Sequence, residues 1–368
     1  MSYLGRKFQS SRIDTHIHVI PPSYLKALNE NGGDPSGWPT PSWTREECIR
    51  FSDTVGSSFS VLSITAPGPA LLGPTPAGRE LTRSVNDEVW EICQSSEGRF
   101  GFFASLPDFN DIEGTLAEID DIFMAKKRAN GVIVMSSYGD KLVGDDAFKS
   151  IWKRLNDHKA LIFVHPGHVR IIPESIAGFL PQPVIDYPQA TTRAALSIVL
   201  SGIFTECQNI NVILSHGGGT LPYLGARAVG SLLHPAIKSK AAVSMLQANQ
   251  ALSRFHYDLA LATSTPQLKA LEAFADPQRV LWGSDFPYAP KMGIYAGLLA
   301  YAKYTKWESN CKINASQLHE NARGLLEKHR QENSFLPSQG VEENPTHEFG
   351  IDESEDAKKA LEELSKYS

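Results

Sequence analysis

The sequence predicts a (β/α)₈ barrel, the TIM-barrel fold, on two observations. Short apolar runs alternate with helical patterns from about Arg12 to about Glu327, which is typical of parallel β/α repetition. Residues that commonly bind metals stand where several of these runs stop. In a closed barrel the carboxyl ends of the strands meet at one mouth, whereas a doubly wound open sheet, the alternative, would spread them apart.

The predicted strands are short and are bounded by turn residues. In the first strand apolar residues alternate with polar ones, so His16 and His18 leave the backbone on the same side. The predicted strands are residues 12–20, 60–65, 100–104, 131–135, 161–165, 211–215, 255–259 and 279–283.

Between the strands, apolar residues recur at helical spacing, and Thr44 opens one helix with a capping-box pattern. The other predicted helical segments are residues 78–98, 111–127, 148–155, 191–204, 221–228, 236–252, 266–274, 291–302 and 316–327.

Two predicted connections, residues 21–42 and 166–188, are long for loops without structure of their own. Loops of that length are usually functional or disordered. Trp38 in the first loop either forms an aromatic wall of a pocket or packs the loop down. The second loop contains five prolines, which favours an ordered cover over a site.

Composition excludes several classes of protein. The chain of 368 residues carries 35 basic and 41 acidic residues, a net charge of −6, and contains no basic run that would follow a phosphate backbone. No apolar run approaches a membrane span or a secretion signal. The four cysteines are Cys48, Cys93, Cys207 and Cys311. They lie far apart in the sequence, and no two of them have the C-x-x-C spacing of a metal-binding pair. We therefore expect a cytoplasmic protein with no nucleic-acid or membrane partner.

The chain is expected to have two parts. Residues 1–335 form the catalytic barrel, and residues 336–368 form an acidic extension of low hydrophobicity. This extension could wrap onto a neighbouring subunit.

Four residues at predicted strand ends are candidate metal ligands: His16, His18, His165 and Asp285. Three nitrogens and one oxygen suit zinc and are acceptable to manganese, iron or cobalt. The alternative is that the histidines are ordinary strand-end residues and that Asp285 caps a helix. The fourth strand offers neither a bridging carboxylate nor a lysine, so one metal ion is expected rather than two.

His216 is the candidate acid or base. It precedes three glycines, where backbone can approach a ligand closely and amides can hold an anion. An imidazole beside such a helix start is suited to proton transfer. A role as a fifth metal ligand is the competing interpretation.

Together these motifs resemble the amidohydrolase-related metal-dependent decarboxylases, whose type member is aminocarboxymuconate semialdehyde decarboxylase. The resemblance covers residues 11–328 and rests on Asp-Thr-His-Ile-His at 14–18, Asn-Asp at 86–87, residues 99–107, His-Pro at 165–166, residues 216–222 and Gly-Ser-Asp-Phe-Pro at 283–287. The loop at residues 37–43 is similar to that of the 6-methylsalicylate decarboxylases within the family.

The resemblance implies a barrel of the metal-dependent hydrolase type with one divalent ion on the four candidate ligands and a catalytic His216. It also implies that Arg227 reaches the substrate carboxylate from the neighbouring subunit, and hence a homodimer. From the residues alone, Arg227 is an arginine on a helix face, as compatible with solvation as with function.

The expected reaction is the non-oxidative decarboxylation of an ortho-hydroxy aromatic acid, with 6-methylsalicylate giving m-cresol and CO₂. Asp285 or His216 would protonate the ring carbon that loses the carboxylate, while Arg227 and Trp38 bind the substrate. We expect Zn²⁺ as the metal, with Mn²⁺ as the alternative. The alternatives are a lactone or amide hydrolase on the same barrel and a non-catalytic metal- or ligand-binding barrel.

Overall fold

The computed structural model describes residues 12–171, 175–308, 310–337 and 362. Its central sheet has eight strands in chain order: β1 (Arg12–His18), β2 (Ser57–Ser63), β3 (Phe100–Ser105), β4 (Gly131–Met135), β5 (Leu161–His165), β6 (Asn211–Leu214), β7 (His256–Asp258) and β8 (Val280–Leu281). Each strand pairs in parallel with the next.

The sheet closes into a ring between β8 and β1. A parallel bridge joins Asp14 to Trp282, and the Thr15 amide donates to the Trp282 carbonyl at 3.0 Å. Beside this bridge, the Asp14 carboxylate accepts hydrogen bonds from the backbone amides of His16 and Ser284, both at 3.1 Å. The prediction of a (β/α)₈ barrel is confirmed, and the open-sheet alternative is wrong.

Helices cover the outside of this ring. They are α1 (Pro22–Glu30), α2 (Arg45–Thr54), α3 (Pro76–Gln94), α4 (Ile112–Asp120), α5 (Lys149–Asp157), α6 (Gln182–Leu200), α7 (Ile203–Glu206), α8 (Leu221–Gly230), α9 (Pro235–Lys238), α10 (Met245–Leu252), α11 (Thr265–Phe274), α12 (Lys291–Trp307) and α13 (Ala315–Lys328). Thr44 caps α2 by accepting the Glu47 amide at 3.1 Å, as its position predicts. No helix in the described ranges is long and apolar enough to cross a membrane.

The strands are apolar on both faces because helices pack outside them and side chains fill the barrel inside. Phe103 on β3 and Phe163 on β5 meet in the interior with ring centroids 5.5 Å apart. Phe163 also lies edge-on to His16 at 4.9 Å. These buried rings form an apolar layer beneath the polar residues at the barrel mouth.

Two predicted loops contain helix. The segment 21–42 includes α1, because Pro22 fits a first helical turn and Tyr24, Ala27 and Leu28 bury one face. Helix α6 begins nine residues earlier than predicted, with Pro188 inside it, and the Thr192 hydroxyl donates to the Pro188 carbonyl. The abundance of proline and glycine concealed both helices.

Two predicted helices are interrupted. Residues 236–252 divide into α9 and α10, because Ser244 starts a new helix with a capping box to Gln247. Residues 111–127 form α4 and then a π-helical segment, Asp121–Lys126, which ends where Lys127 adopts a φ of 49°. A short hairpin, Ser137–Tyr138 with Lys141–Leu142, was not predicted.

Most of the predicted acidic extension, residues 338–361 and 363–368, lies outside the described residues.

Candidate metal centre and active site

The barrel brings the four candidate metal ligands to one point at its carboxyl-terminal mouth. His16 and His18 lie on β1, His165 ends β5, and Asp285 follows β8. One nitrogen or oxygen from each lies within 4.8 Å of the others, and all four residues are buried. His18 Nε2 is 3.2 Å from His16 Nε2 and 3.1 Å from Asp285 Oδ1. It is the one such cluster found in the described ranges.

The Nδ1 atoms of His18 and His165 face backbone carbonyls outside the cluster. His18 Nδ1 lies 3.2 Å from the Ser63 carbonyl, and His165 Nδ1 lies 2.7 Å from the Pro166 carbonyl. A carbonyl can only accept, so Nδ1 carries the proton and each Nε2 presents a lone pair to the cluster. Converging lone pairs and a carboxylate in a buried site fit a divalent cation.

Asp258 is a functional residue that the sequence reasoning missed. It is fully buried at the end of β7, and its Oδ2 lies 2.9 Å from His16 Nδ1. Its Oδ1 accepts the backbone amides of His216 and Ala260 at 3.1 and 2.9 Å. A carboxylate behind a metal-binding histidine fixes its tautomer and makes it a stronger ligand. Its position at the end of the seventh predicted strand was the available signal.

The electrostatics of the cluster match this arrangement. Burial opposes protonation of His16, yet Asp258 and Asp285 outweigh it and raise its pKa to about 10. Burial would raise the pKa of Asp285, but hydrogen bonds from His16 and His18 hold it well below its usual range. Burial and the neighbouring imidazoles lower the pKa of His165 well below its usual value. Without a metal the site therefore favours ionised Asp285, neutral His18 and His165, and a protonated His16. A divalent cation would take the place of the His16 Nε2 proton, so metal binding should release that proton.

Two residues at the mouth adopt backbone conformations that side chains rarely take. Asp285 has a φ of 63° and His216 a φ of 55°. The Asp285 amide donates to the His16 carbonyl at 2.8 Å, which locks its carboxylate toward β1. Such strain persists only where surrounding contacts hold it, and it is concentrated at functional sites.

His216 lies beside the cluster, with its ring centroid 4.8 Å from that of His16. Its Nδ1 lies 3.0 Å from the Ala260 carbonyl, so Nδ1 carries the proton and Nε2 is the reactive nitrogen. The glycines that follow permit close packing: a Cβ at Gly219 would come within 1.9 Å of the Pro188 carbonyl oxygen. Gly219 thus allows contact with α6, while a Cβ at Gly218 would come within 2.9 Å of the Tyr257 ring on β7.

A cleft of about 330 Å³ opens above the cluster, within the size range of small-molecule sites. Its walls include His165, His216 and Asp285 together with aromatic and polar side chains from two loops and from α6: Asp34, Trp38, Tyr187 and Tyr288. Trp38 thus lies on the cleft wall, in agreement with the interpretation that it forms an aromatic wall of a pocket.

Tyr288 is a second residue that the sequence reasoning missed. Its ring lies edge-on to His18 at 5.6 Å, and its buried hydroxyl has no hydrogen-bond partner within the described part of the chain. Buried hydroxyls are usually paired, so this one is available to an oxygen of a bound ligand.

Arg227 is apart from the other predicted site residues. It is exposed on α8 and does not line the cleft of its own chain. Among the described residues that line the cleft there is no lysine or arginine.

The comparisons with known proteins agree with this geometry. The model of the amidohydrolase family matches residues 13–328. The chain belongs to this family. The resemblance predicted from its motifs is confirmed.

Among the amidohydrolase relatives is the 6-methylsalicylic acid decarboxylase of Penicillium expansum, 39% identical over 286 residues, which are 77% of this chain and 87% of that protein. A decarboxylase of Penicillium terrestre is 38% identical over 302 residues, 78% of this chain and 88% of that protein. The solved structure of an amidohydrolase II superposes with a TM-score of 0.75 at 26% identity, covering 86% of this chain and all of that one.

Proposed function

We propose that this protein is a metal-dependent decarboxylase of an ortho-hydroxy aromatic carboxylic acid, with 6-methylsalicylate as its substrate and m-cresol and CO₂ as products. The observation that carries the proposal is the cluster of His16, His18, His165 and Asp285 at the base of a cleft of about 330 Å³. The reaction class, that of a carboxy-lyase, is also the one named for relatives at 36–39% identity.

The four clustered residues would hold one divalent ion. Three imidazole nitrogens and one carboxylate oxygen favour Zn²⁺, with Mn²⁺ as the alternative. When bound, this ion would polarise the oxygens of the acid and fix its ring in the cleft.

Decarboxylation requires a proton at the ring carbon that bears the carboxylate. The electron pair of the breaking C–C bond then stays with the ring, and CO₂ leaves. Asp285 and His216 are the side chains at the cleft base that can deliver this proton. Asp285 must first gain a proton against the hydrogen bonds that hold its pKa low, and His216 must gain one at Nε2 although burial lowers its pKa.

Two further side chains would orient the ring. The Trp38 indole lines the cleft and offers a flat apolar wall. The unpaired Tyr288 hydroxyl is a neutral donor that an anionic oxygen of the acid would satisfy. Neither side chain needs to change its charge during turnover.

A homodimer is part of the proposal, with Arg227 supplied to the neighbouring cleft. Large exposed apolar side chains occur on adjacent elements of one region: Val184, Ile185, Tyr223, Leu233, Ile237 and Leu246. Tyr223 is 85% exposed and lies one helical turn before Arg227 on α8, so the two share a face. A second copy over this region would bury apolar surface and supply the cation that the cleft itself lacks.

We also propose a cytoplasmic location. All four cysteines are free, and three of them are buried. Free thiols are usual in reducing compartments. Imaging of a fluorescent fusion in the source cell tests this point.

The proposed activity is tested by incubating metal-loaded protein with 6-methylsalicylate and following CO₂ and m-cresol together. We expect equal amounts of the two products and no turnover after chelation. Consumption of a lactone or an amide with no CO₂ released from any ortho-hydroxy acid would contradict the proposal.

A further inference from the structure

Asp34 introduces a negative charge into the wall of a cleft whose proposed substrate is itself an anion. It lies between α1 and α2 and lines the cleft together with Trp38. The metal cluster forms the base of the cleft, so the cleft contains an anion-binding end and an acidic wall. An acidic wall in such a site needs a physical explanation.

One carboxylate oxygen of Asp34 stabilises a turn of the backbone. Its Oδ1 accepts the Ser36 amide at 2.8 Å, and the Ser36 hydroxyl then accepts the Trp38 amide at 3.3 Å. This is the side-chain turn that aspartate and asparagine form equally well. The turn therefore explains a polar residue here but does not explain a charged one.

The charge of Asp34 acts on two other groups of the cleft wall. Burial, reinforced by Asp34, raises the pKa of the Tyr288 and Tyr187 hydroxyls, both of which line the cleft. Among the described residues, no lysine or arginine lines the cleft. Burial raises the pKa of Asp34 itself, whereas hydrogen bonds from Ser36 and the nearby His168 lower it. The carboxylate thus makes its wall negative while the metal-binding end attracts anions.

We propose that Asp34 determines the charge specificity of the cleft, which admits ring acids with one carboxylate and rejects those that carry a second negative group. This inference rests on the proposed function, because it takes the first carboxylate to lie at the metal-binding end. Two like charges about 6–10 Å apart at an effective dielectric constant of about 20 repel each other enough to change affinity about 10- to 100-fold.

The test measures binding, so that it does not depend on turnover. Metal-loaded wild-type protein is titrated with 4-hydroxyisophthalate, a salicylate with a second carboxylate, and with 5-nitrosalicylate, whose nitro group has a similar shape and no net charge. The pair 2-hydroxyterephthalate and 4-nitrosalicylate places the same groups at the adjacent ring position. We expect the nitro compound of at least one pair to bind about 10- to 100-fold more tightly.

The deciding variant is Asp34→Asn, which retains the turn and removes the charge. We expect the ratio of the two affinities to shrink about 10-fold, mainly through tighter binding of the dicarboxylate. The matched control is Asp276→Asn, because Asp276 makes the same turn to Gln278 at 3.0 Å and does not line the cleft. If Asp34→Asn fails to fold, Asp34→Ser tests the same point with a hydroxyl that can form a similar turn.

Equal binding of the two compounds of each pair by the wild type would overturn the inference. An Asp34→Asn ratio within twofold of the wild-type ratio would overturn it as well and leave Asp34 as a turn residue. The proposed function fails separately, if the wild type discriminates between the compounds but releases no CO₂ from 6-methylsalicylate.

Discussion

The two ends of the barrel both contain buried histidines, and their surroundings differ in kind. At the mouth, His16, His18 and His165 direct Nε2 atoms toward one carboxylate. At the opposite end, His256 at the start of β7 and His329 after α13 have cationic neighbours instead.

The partners of His329 show a structural role. Its Nδ1 lies 2.7 Å from the Lys159 carbonyl and its Nε2 lies 2.8 Å from Asn211 Oδ1, which also accepts from Lys328. Burial, with Arg279 nearby, lowers the pKa of His256 to about 3. A histidine therefore becomes a metal ligand through the orientation of its free nitrogen and the charge it faces, and burial alone does not make it one.

The largest expected effect is at the mouth, from His165→Ala. Loss of one of four ligands should weaken metal binding more than about 100-fold, since loss of a group behind a ligand already costs about 10–100-fold. Turnover of 6-methylsalicylate should become undetectable at equimolar metal. Metal analysis after gel filtration measures the binding. His329→Gln at the opposite end is the control and should retain one ion per chain.

Asp285→Asn should lower turnover at saturating metal by about 100-fold or more, because general acid catalysis contributes about 10²–10⁴-fold. Asparagine tolerates the φ of 63° at this position, so the backbone should be preserved. Single-turnover release of CO₂ is the measurement. Near-normal turnover of the metal-loaded variant would assign the proton to His216.

Asp258→Asn should weaken metal affinity about 10–100-fold, because asparagine cannot supply the charge that holds His16 at 2.9 Å. The amides of His216 and Ala260 should keep their acceptor. Competition against a chelator of known affinity measures the change. Unaltered affinity would mean that the carboxylate only organises the loop after β7.

The smallest effect concerns the opposite end. Burial, with Arg279 nearby, lowers the pKa of His256 to about 3 in the folded chain, so below about pH 6.5 the unfolded chain binds the extra proton and the folded chain does not. The free energy of unfolding should therefore decrease as the pH is lowered, by about 2 kcal/mol between pH 7 and pH 5 for this group. Denaturant unfolding of chelator-treated protein should show that loss reduced in His256→Gln. An unchanged pH dependence would contradict the assignment.

The sequence predicted the barrel and the clustered ligands because both depend on local pattern. Apolar runs define the strands, and parallel β/α repetition places every strand end at the same mouth. His16, His18, His165 and Asp285 are therefore brought together by topology alone.

What the sequence did not predict depends on contacts between distant segments. Asp258 matters because β1 places His16 beside it, and Tyr288 matters because of where its ring lies against His18. The early start of α6 likewise depends on Gln182, whose side chain pairs with the Val169 backbone across the loop. The local sequence pattern around these residues does not predict such contacts. The role of Arg227 depends on a second chain.

The central claim is that one cation on four side chains from three distant strand ends is required for CO₂ release. The most direct measurement is a titration of metal-free protein with Zn²⁺, and separately with Mn²⁺, while CO₂ release from 6-methylsalicylate is followed. The account predicts activity that rises linearly and stops at one ion per chain. Full activity without metal, or a break at two ions per chain, would contradict it.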